Sequence, residues 1–301
     1  MTADTPPRLD CDNFARMGAE IAEWGATYHK GLGERPVRAP LEPGAVRARF
    51  PQSPPESGEG LDGILAEIDE KIVPGLTHWQ HPRFFAYFPS NATPPSMLAD
   101  FVASILAQQC MLWQTSPAGT EVETLMLDWL RQGLGLPKGF QGVIQDSASS
   151  ATLAAVLTMR EKALNWDGNV SGLPGQSRLR IYASDEVHTS VDRAIWVAGI
   201  GGDNLVRIPT QGPLRAMDPV ALRAAIKADR KAGFLPAGIV ACTGGTGTGA
   251  CDDLREVLAV ARDEGLYSHV DAAWAGAAMI CPEFRTPVSY THLRAHETKA
   301  N

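Results

Sequence analysis

Asp146-Ser-Ala-Ser-Ser150 precedes a helix-patterned stretch at 151–164. Hydroxyls and the free N–H groups of a first helical turn converge at its positive end, which suits a phosphate dianion, although Ser147 or Ser149 would serve equally as an ordinary N-cap. Farther on, His188 in Ser184-Asp-Glu-Val-His-Thr-Ser190 follows a strand-like run and opens a helical one. An imidazole there can stack on a flat ring or relay a proton; the plainer alternative is a capping segment led by Ser184 or Asp185, with His188 in solvent. Asp271, in His269-Val-Asp-Ala-Ala-Trp-Ala-Gly276, ends an apolar run and is followed by small residues that let a flat ligand approach the backbone. A carboxylate meeting a pyridine nitrogen favours the pyridinium, which withdraws electrons from a carbanion forming on an attached substrate, yet an Asp here is also an ordinary turn or helix cap.

Cys242-Thr-Gly-Gly-Thr-Gly-Thr-Gly249 lies between a predicted strand and a predicted helix, and Thr246 or Thr248 can donate to a ligand. Gly245-Thr-Gly-Thr-Gly-Ala250 also fits G-x-G-x-x-A, with Asp271 placed as a ribose-binding acid, so a nicotinamide-dependent oxidoreductase built on residues 245–271 is the competing reading. Against it, Asp252 and Asp253 set negative charge where a pyrophosphate would lie, and the serine-rich helix start and His188 are left without a role. Upstream, His78-Trp-Gln-His-Pro-Arg-Phe-Phe-Ala-Tyr-Phe-Pro-Ser90 is dense in aromatics and irregular, fit to wall an aromatic pocket or to pack beneath a proline-broken loop. His78 and His81 lack the helix and the third ligand of a zinc site, so no metal is expected.

For these groups to meet, they must follow strands of one sheet. Strand-like runs at 178–183, 204–208, 238–242 and 266–271 alternate with helical runs at 187–197, 219–232 and 253–264. That alternation predicts an α/β fold with a mostly parallel sheet, right-handed crossovers and ligand groups at the carboxyl ends of strands. Helices near 97–109 and 121–133 precede it. The first 75 residues read differently: a helix capped by Asp12 through about His29, striped by Phe14, Met17, Ile21 and Trp24, then a Pro/Gly/Arg-rich stretch at 35–60 and a second helix at 61–72. Such an arm has little core of its own and is expected to pack on a larger domain or a second subunit.

Of the 301 residues, 44% are hydrophobic, enough for a large core. A net charge of -7 without a basic run argues against a nucleic-acid partner, and no apolar run is long enough to span a membrane. Five scattered cysteines (Cys11, Cys110, Cys242, Cys251, Cys281) form no CxxC pair, which fits a reducing cytoplasm. Residues 286–301 break the pattern and read as foreign sequence.

Taken in order, these segments resemble the pyridoxal-phosphate-dependent aromatic L-amino-acid decarboxylases of the group II decarboxylase family, over residues 13–285. The resemblance is carried by His81-Pro-Arg-Phe-Phe-Ala-Tyr-Phe-Pro89, Thr120-Glu-Val-Glu-Thr-Leu-Met-Leu-Asp-Trp-Leu130, Gly142-Val-Ile-Gln-Asp-Ser-Ala-Ser149 and His269-Val-Asp-Ala-Ala-Trp-Ala-Gly-Ala-Ala-Met-Ile-Cys-Pro-Glu-Phe-Arg285. It implies the fold type I (aminotransferase-type) parallel sheet: an arm at 1–75 embracing the second subunit of a homodimer, a cofactor-binding large domain at 76–285, and no small C-terminal domain. It further implies that Ala148 and Ser149 hold the phosphate of pyridoxal 5'-phosphate, His188 stacks on the ring, Asp271 pairs with the ring nitrogen, and Thr246 and Ala273 line the ring. Trp79, Tyr87, Phe88, Pro89 and Ser90 fall where the family contacts substrate. The activity implied is that of a carboxy-lyase releasing CO2 and an amine from an aromatic L-amino acid, with His188 and Asp271 catalytic.

Two positions depart from the family. Gly245 and Gly247 flank Thr246 where the family's turn is threonine-rich, and Trp274 replaces the tyrosine usual after Asp-Ala-Ala. The family's Asn-Pro-His-Lys-Trp-type motif, with its Schiff-base lysine, is expected beyond Arg285, and Lys299 stands outside the resembling segment. This reading therefore assigns turnover to a parent enzyme and little to residues 1–301 alone; a catalytically silent binding protein is the third reading.

Overall fold

The computed structural model describes residues 10–285 apart from 55, 57–62 and 89–91. The chain divides into two compact units, residues 1–107 and 108–301.

In the first unit, α1 (Cys11–Lys30) is capped by Asp10 rather than Asp12: the Asp10 carboxylate accepts the Asn13 N–H at 3.0 Å, and Asp12 lies in the first turn. Apolar spacing locates a helix but not the residue at which the backbone leaves it. Met17 on its stripe is buried, and Phe14 meets Phe101 of α3 (Pro94–Leu106) with ring centroids 5.8 Å apart. The second expected helix is not a continuous α-helix. After α2 (Ile64–Glu67) the chain widens into a π turn, Ile68–Ile72, and tightens into a 3-10 turn, Val73–Gly75. Pro74 has no N–H to donate and its ring crowds the carbonyl four residues back, so the regular ladder cannot run through it.

The second unit starts with α4 (Pro117–Gly133), capped by the buried Ser116, and α5 (Ala148–Ala163). There follow α6 (Gly168–Ser171), β1 (Leu179–Ser184), α7 (Ser190–Val197), β2 (Leu205–Ile208), a hairpin of β3 (Thr210–Gln211) and β4 (Ala216–Met217), α8 (Pro219–Lys231), β5 (Leu235–Cys242), α9 (Leu254–Asp263) and β6 (Tyr267–Asp271). The hairpin was not expected, because strands of two residues carry no readable period. The larger sheet is parallel throughout, in the order β2-β1-β5-β6, with Ala183 opposite Val240 and Cys242 opposite Asp271.

Both faces of that sheet are covered, and the central strand β5, Leu-Pro-Ala-Gly-Ile-Val-Ala-Cys, accordingly carries no polar side chain. On one face Ile181, Ala183, Val240 and Cys242 pack with Val156 and Met159 of α5 and Val191 and Ile195 of α7. On the other, Tyr182, Ile239 and Ala241 pack with Leu222 and Ile226 of α8 and Val257 and Leu258 of α9. This two-layered core fixes which strand ends lie side by side.

Candidate functional site

The direction of α5 follows from three contacts near its C-terminus. The Lys162 ammonium lies 5.6 Å from the ring centroid of Tyr267, the first residue of β6. A Cβ on Gly238, opposite Tyr267 in register, would come within 2.5 Å of Met159 Cγ. Arg160 donates to the Ala198 carbonyl, at the C-terminal end of α7, at 2.8 Å. The end of α5 is thus tied to the start of β6 and the end of α7. From Lys162 back to Ser149 the helix rises about 20 Å, whereas β6 advances only about 13 Å, so the N-terminus of α5 reaches past the carboxyl edge of the sheet. There Ser147 caps the helix, accepting the Ser150 N–H at 3.3 Å, and Ala148 and Ser149 are exposed in the first turn, whose N–H groups have no acceptor within the helix. Asp146 shares this end, but it is in open solvent, where its charge is screened.

Three neighbouring strands deliver the other groups to the same edge. His188 follows β1; its Nδ1 accepts the Ser190 N–H at 3.2 Å, which leaves the ring proton on Nε2 when the imidazole is neutral. Thr246 is exposed in the glycine turn after β5. Asp271 ends β6, half-buried, its Oδ1 accepting the Ala273 N–H at 3.2 Å while its carbonyl accepts the Thr243 N–H at 2.9 Å. Along β6, Tyr267 packs toward α5 and Val270 toward α8 and α9, so His269 and Asp271 share the α5 face. His269 Nε2 and Thr243 Oγ1 are buried and without hydrogen-bond partners among the described residues. Burial pulls the His269 pKa down, opposed by the Asp271 carboxylate. Burial, then the carboxylates of Asp252 and Asp271, push the Cys242 thiol up to about 12, so it stays protonated and is no nucleophile.

Both departures in the sequence have a structural counterpart. The Trp274 ring lies over the glycine turn, where a Cβ on Gly244 would meet its Cε2 at 2.9 Å. Gly245 backs onto the Glu186 carbonyl, which a Cβ would approach to 2.8 Å. Glu186 itself, not singled out by its sequence context, accepts from the Thr248 hydroxyl at 2.6 Å and from Arg215 Nε at 2.6 Å. No local signal marks it, since its partners lie 62 and 29 residues away.

The competing dinucleotide site does not form. Asp252 is buried, its carboxylate accepting the Cys242 and Met217 N–H groups at 2.7 Å each. Asp253 caps α9 by accepting from Arg255 and Glu256. The helix end that would receive a pyrophosphate is already closed by the Asp253 carboxylate, with the Asp252 charge beside it, which corrects the oxidoreductase reading.

Within the first unit, Trp79 stacks on Tyr87 at 5.5 Å and tilts against Phe84 at 4.9 Å. Tyr87 is 84% exposed and has φ 54°, a left-handed backbone that bulky residues rarely adopt. Phe88 is also exposed, and Pro89 and Ser90 lie outside the described residues. His78 is buried at 2.7 Å from the Tyr28 hydroxyl, and burial, followed by the Arg35 charge, lowers its pKa. His81 Nδ1 accepts the Arg83 N–H, so both histidines serve the local fold. Among the described residues, no helix is long and apolar enough to cross a membrane.

Residues 43–295 match the family model described as the pyridoxal-dependent decarboxylase conserved domain. The aromatic-L-amino-acid decarboxylase of Rattus norvegicus is 40% identical over 289 residues, covering 92% of this chain and 59% of that protein. The tyrosine decarboxylase of Papaver somniferum is 37% identical over 288 residues, covering 92% and 56%. Among solved structures, Catharanthus roseus tryptophan decarboxylase in complex with L-tryptophan has a TM-score of 0.88 at 34% identity, covering 96% of this chain and 60% of that one. Oryza sativa TDC with PLP has a TM-score of 0.89 at 34% identity, covering 96% and 63%. The chain therefore spans about three-fifths of the length of such relatives.

Proposed function

Because this chain belongs to the pyridoxal-dependent decarboxylase family, we propose that the protein carrying it removes CO2 from an aromatic L-amino acid, using pyridoxal 5'-phosphate bound at the carboxyl edge of the sheet. The observation that carries this is the delivery of His188, Thr246 and Asp271 by the adjacent strands β1, β5 and β6 to the edge reached by the N-terminus of α5. The donor set suits the cofactor. First-turn N–H groups and hydroxyls answer a phosphate, a carboxylate answers a ring N–H, and the buried, unpartnered His269 Nε2 and Thr243 Oγ1 mark a polar site that the described side chains do not fill.

When bound, the cofactor supplies a protonated aromatic ring that takes up the electrons left as a carboxylate departs. In this reading Ala148 and Ser149 hold the phosphate and Asp271 keeps a proton on the ring nitrogen. His188 covers the ring face and, with its proton on Nε2, can return a proton to the substrate; Thr246 and Ala273 flank the ring. Trp79, Tyr87, Phe88, Pro89 and Ser90 form the wall that selects an aromatic side chain, a role supported by the exposed Trp79–Tyr87 stack and by the named substrates of the relatives. Residues 1–75 are the arm that embraces a second copy in a homodimer, supported by the exposed Phe14 and Ile21 on α1, and residues 76–285 bind the cofactor. A cytoplasmic location fits five cysteines that form no disulfide with one another.

Titration of residues 1–301 with pyridoxal phosphate and with NAD, followed by absorbance and tryptophan fluorescence, tests the proposal. Saturable binding of pyridoxal phosphate, weakened at least about tenfold by Asp271→Ala and perturbed by L-tryptophan or L-tyrosine but not L-glutamate, is expected. Binding of NAD alone, indifferent to Asp271→Ala, overturns it.

A further inference from the structure

The glycine-rich turn at 243–250 carries a group proposed to line the cofactor, yet glycine disfavours a single turn conformation by leaving the chain many others. Backbone bonds close it from within, the Gly244 and Gly245 N–H groups donating to the Ala250 carbonyl at 2.8 Å each and the Gly249 N–H to the Gly245 carbonyl at 2.7 Å, which leaves its spacing from the neighbouring loops to be set by other contacts. Trp274 packs over Gly244, and a hydrogen bond reaches the turn from a second loop: Glu186 stands between β1 and α7, two residues before His188, and its Oε2 accepts the Thr248 hydroxyl at 2.6 Å. Its other oxygen accepts Arg215 Nε at 2.6 Å in an ion pair with the β3–β4 hairpin. The Glu186 carbonyl rests against Gly245 with no room for a Cβ, and its N–H lies 3.4 Å from Ser184 Oγ, a fully buried hydroxyl at the end of β1. The Glu186 side chain is 8% exposed, and its two partners, Arg215 and Thr248, reach it from the exposed surface.

We propose that Glu186 is a positioning residue that latches the His188 loop to the glycine turn through Thr248 and anchors both to the hairpin through Arg215, setting the spacing of the two groups that enclose the cofactor ring. The inference rests on the cofactor reading above and goes beyond it in assigning a part to Glu186, Thr248 and Arg215, none of which touches the ring in that reading. It also bears on the sequence: Gly245 and Gly247 carry no hydroxyl, and the Thr248 hydroxyl that remains is taken by an acid 62 residues away. The Thr248 hydroxyl first, and Arg215 second, hold the Glu186 carboxyl below the usual carboxylate range, so the latch is closed at neutral pH.

Two readouts test it on residues 1–301. Hydrogen exchange without ligand should show amides at 185–190 and 243–250 exchanging faster together in Glu186→Ala and in Thr248→Val, while those of β1 and β5 stay protected. Pyridoxal phosphate affinity should fall about tenfold in either variant and no further in the double variant, whereas Thr248→Ser, which keeps the hydroxyl, retains it. A melting temperature unchanged to within a few degrees separates positioning from general loss of structure. Unchanged exchange in Glu186→Ala, or an affinity loss that Thr248→Ser shares with Thr248→Val, overturns the latch while leaving cofactor binding by the unsubstituted chain intact. Failure of the unsubstituted chain to bind pyridoxal phosphate overturns the cofactor reading instead, and the role of Glu186 in spacing the ring-enclosing groups with it.

Discussion

Replacing Asp252 with alanine should destabilise the second unit more than any surface substitution. Its carboxylate takes the N–H of Cys242, where β5 ends, and that of Met217 on the hairpin, both at 2.7 Å, and Asp252 is 4% exposed. Deletion leaves two buried amides without an acceptor, at about 1–3 kcal/mol each, so the gross loss is about 4 kcal/mol. Part is returned, because burial raises the Asp252 pKa against the pull of those same two amides: the ionised side chain is held at a desolvation cost that alanine does not incur. The net loss is then about 3 kcal/mol, and at about 2–4 °C per kcal/mol for a unit of this size the melting temperature should fall by about 6–12 °C. Thermal unfolding followed by circular dichroism, with a urea titration to check that the slope is unchanged, measures it. Asp252→Asn should recover only part of the loss, since one oxygen still accepts but the other is replaced by an NH2 group that faces a backbone N–H. A fall of less than about 2 °C for Asp252→Ala would refute the claim that this carboxylate braces the strand end rather than merely sitting there.

Other expectations follow from packing and titration. Gly238→Ala sets a Cβ within 2.5 Å of the fully buried Met159 and should cost about 1–3 kcal/mol, less in a Met159→Ala background; equal cost in both backgrounds would show that Met159 is not the obstacle. The Tyr182 hydroxyl, in the core, donates to Asp229 at 2.9 Å, and Tyr182→Phe should lose about 1–2 kcal/mol in denaturant unfolding, an unchanged midpoint being the contrary result. Because burial pulls the His269 pKa below its usual 6.5, the unfolded chain takes the proton first. The stability this contributes is complete above pH 6.5 and is lost as the pH falls through the folded value, so His269→Gln should flatten the decline in melting temperature as the pH drops below 6.5. A decline of the same slope in both proteins would assign it to other groups.

Much of the fold was legible because its determinants are local. The β1, β2, β5 and β6 runs are short stretches bounded by helical periodicity, and each of these four strands begins or ends within three residues of expectation. The first cap was misplaced by two residues, since Asp10 and Asp12 are chemically alike and only the backbone conformation distinguishes them. The helix expected at 61–72 was overestimated because Pro74 acts backwards on the ladder before it.

The candidate site divides along the same line. The types of its groups, a serine-rich helix start, an imidazole and a carboxylate after strands, and small residues beside them, are properties of short segments, and so the chemistry they can perform was determined by sequence. Which of them share an edge was decided by the strand order β2-β1-β5-β6 and by the direction of α5, both products of burying two apolar faces at once. Asp252 shows the difference. In the sequence it is a charge that opposes a phosphate; in the fold it is the acceptor for two strand-end amides drawn from segments 10 and 35 residues away. The same holds for Glu186 and Thr248, whose bond closes across 62 residues. No window along the chain contains such a pair, because its geometry exists only once the core has packed and water has left the strand ends.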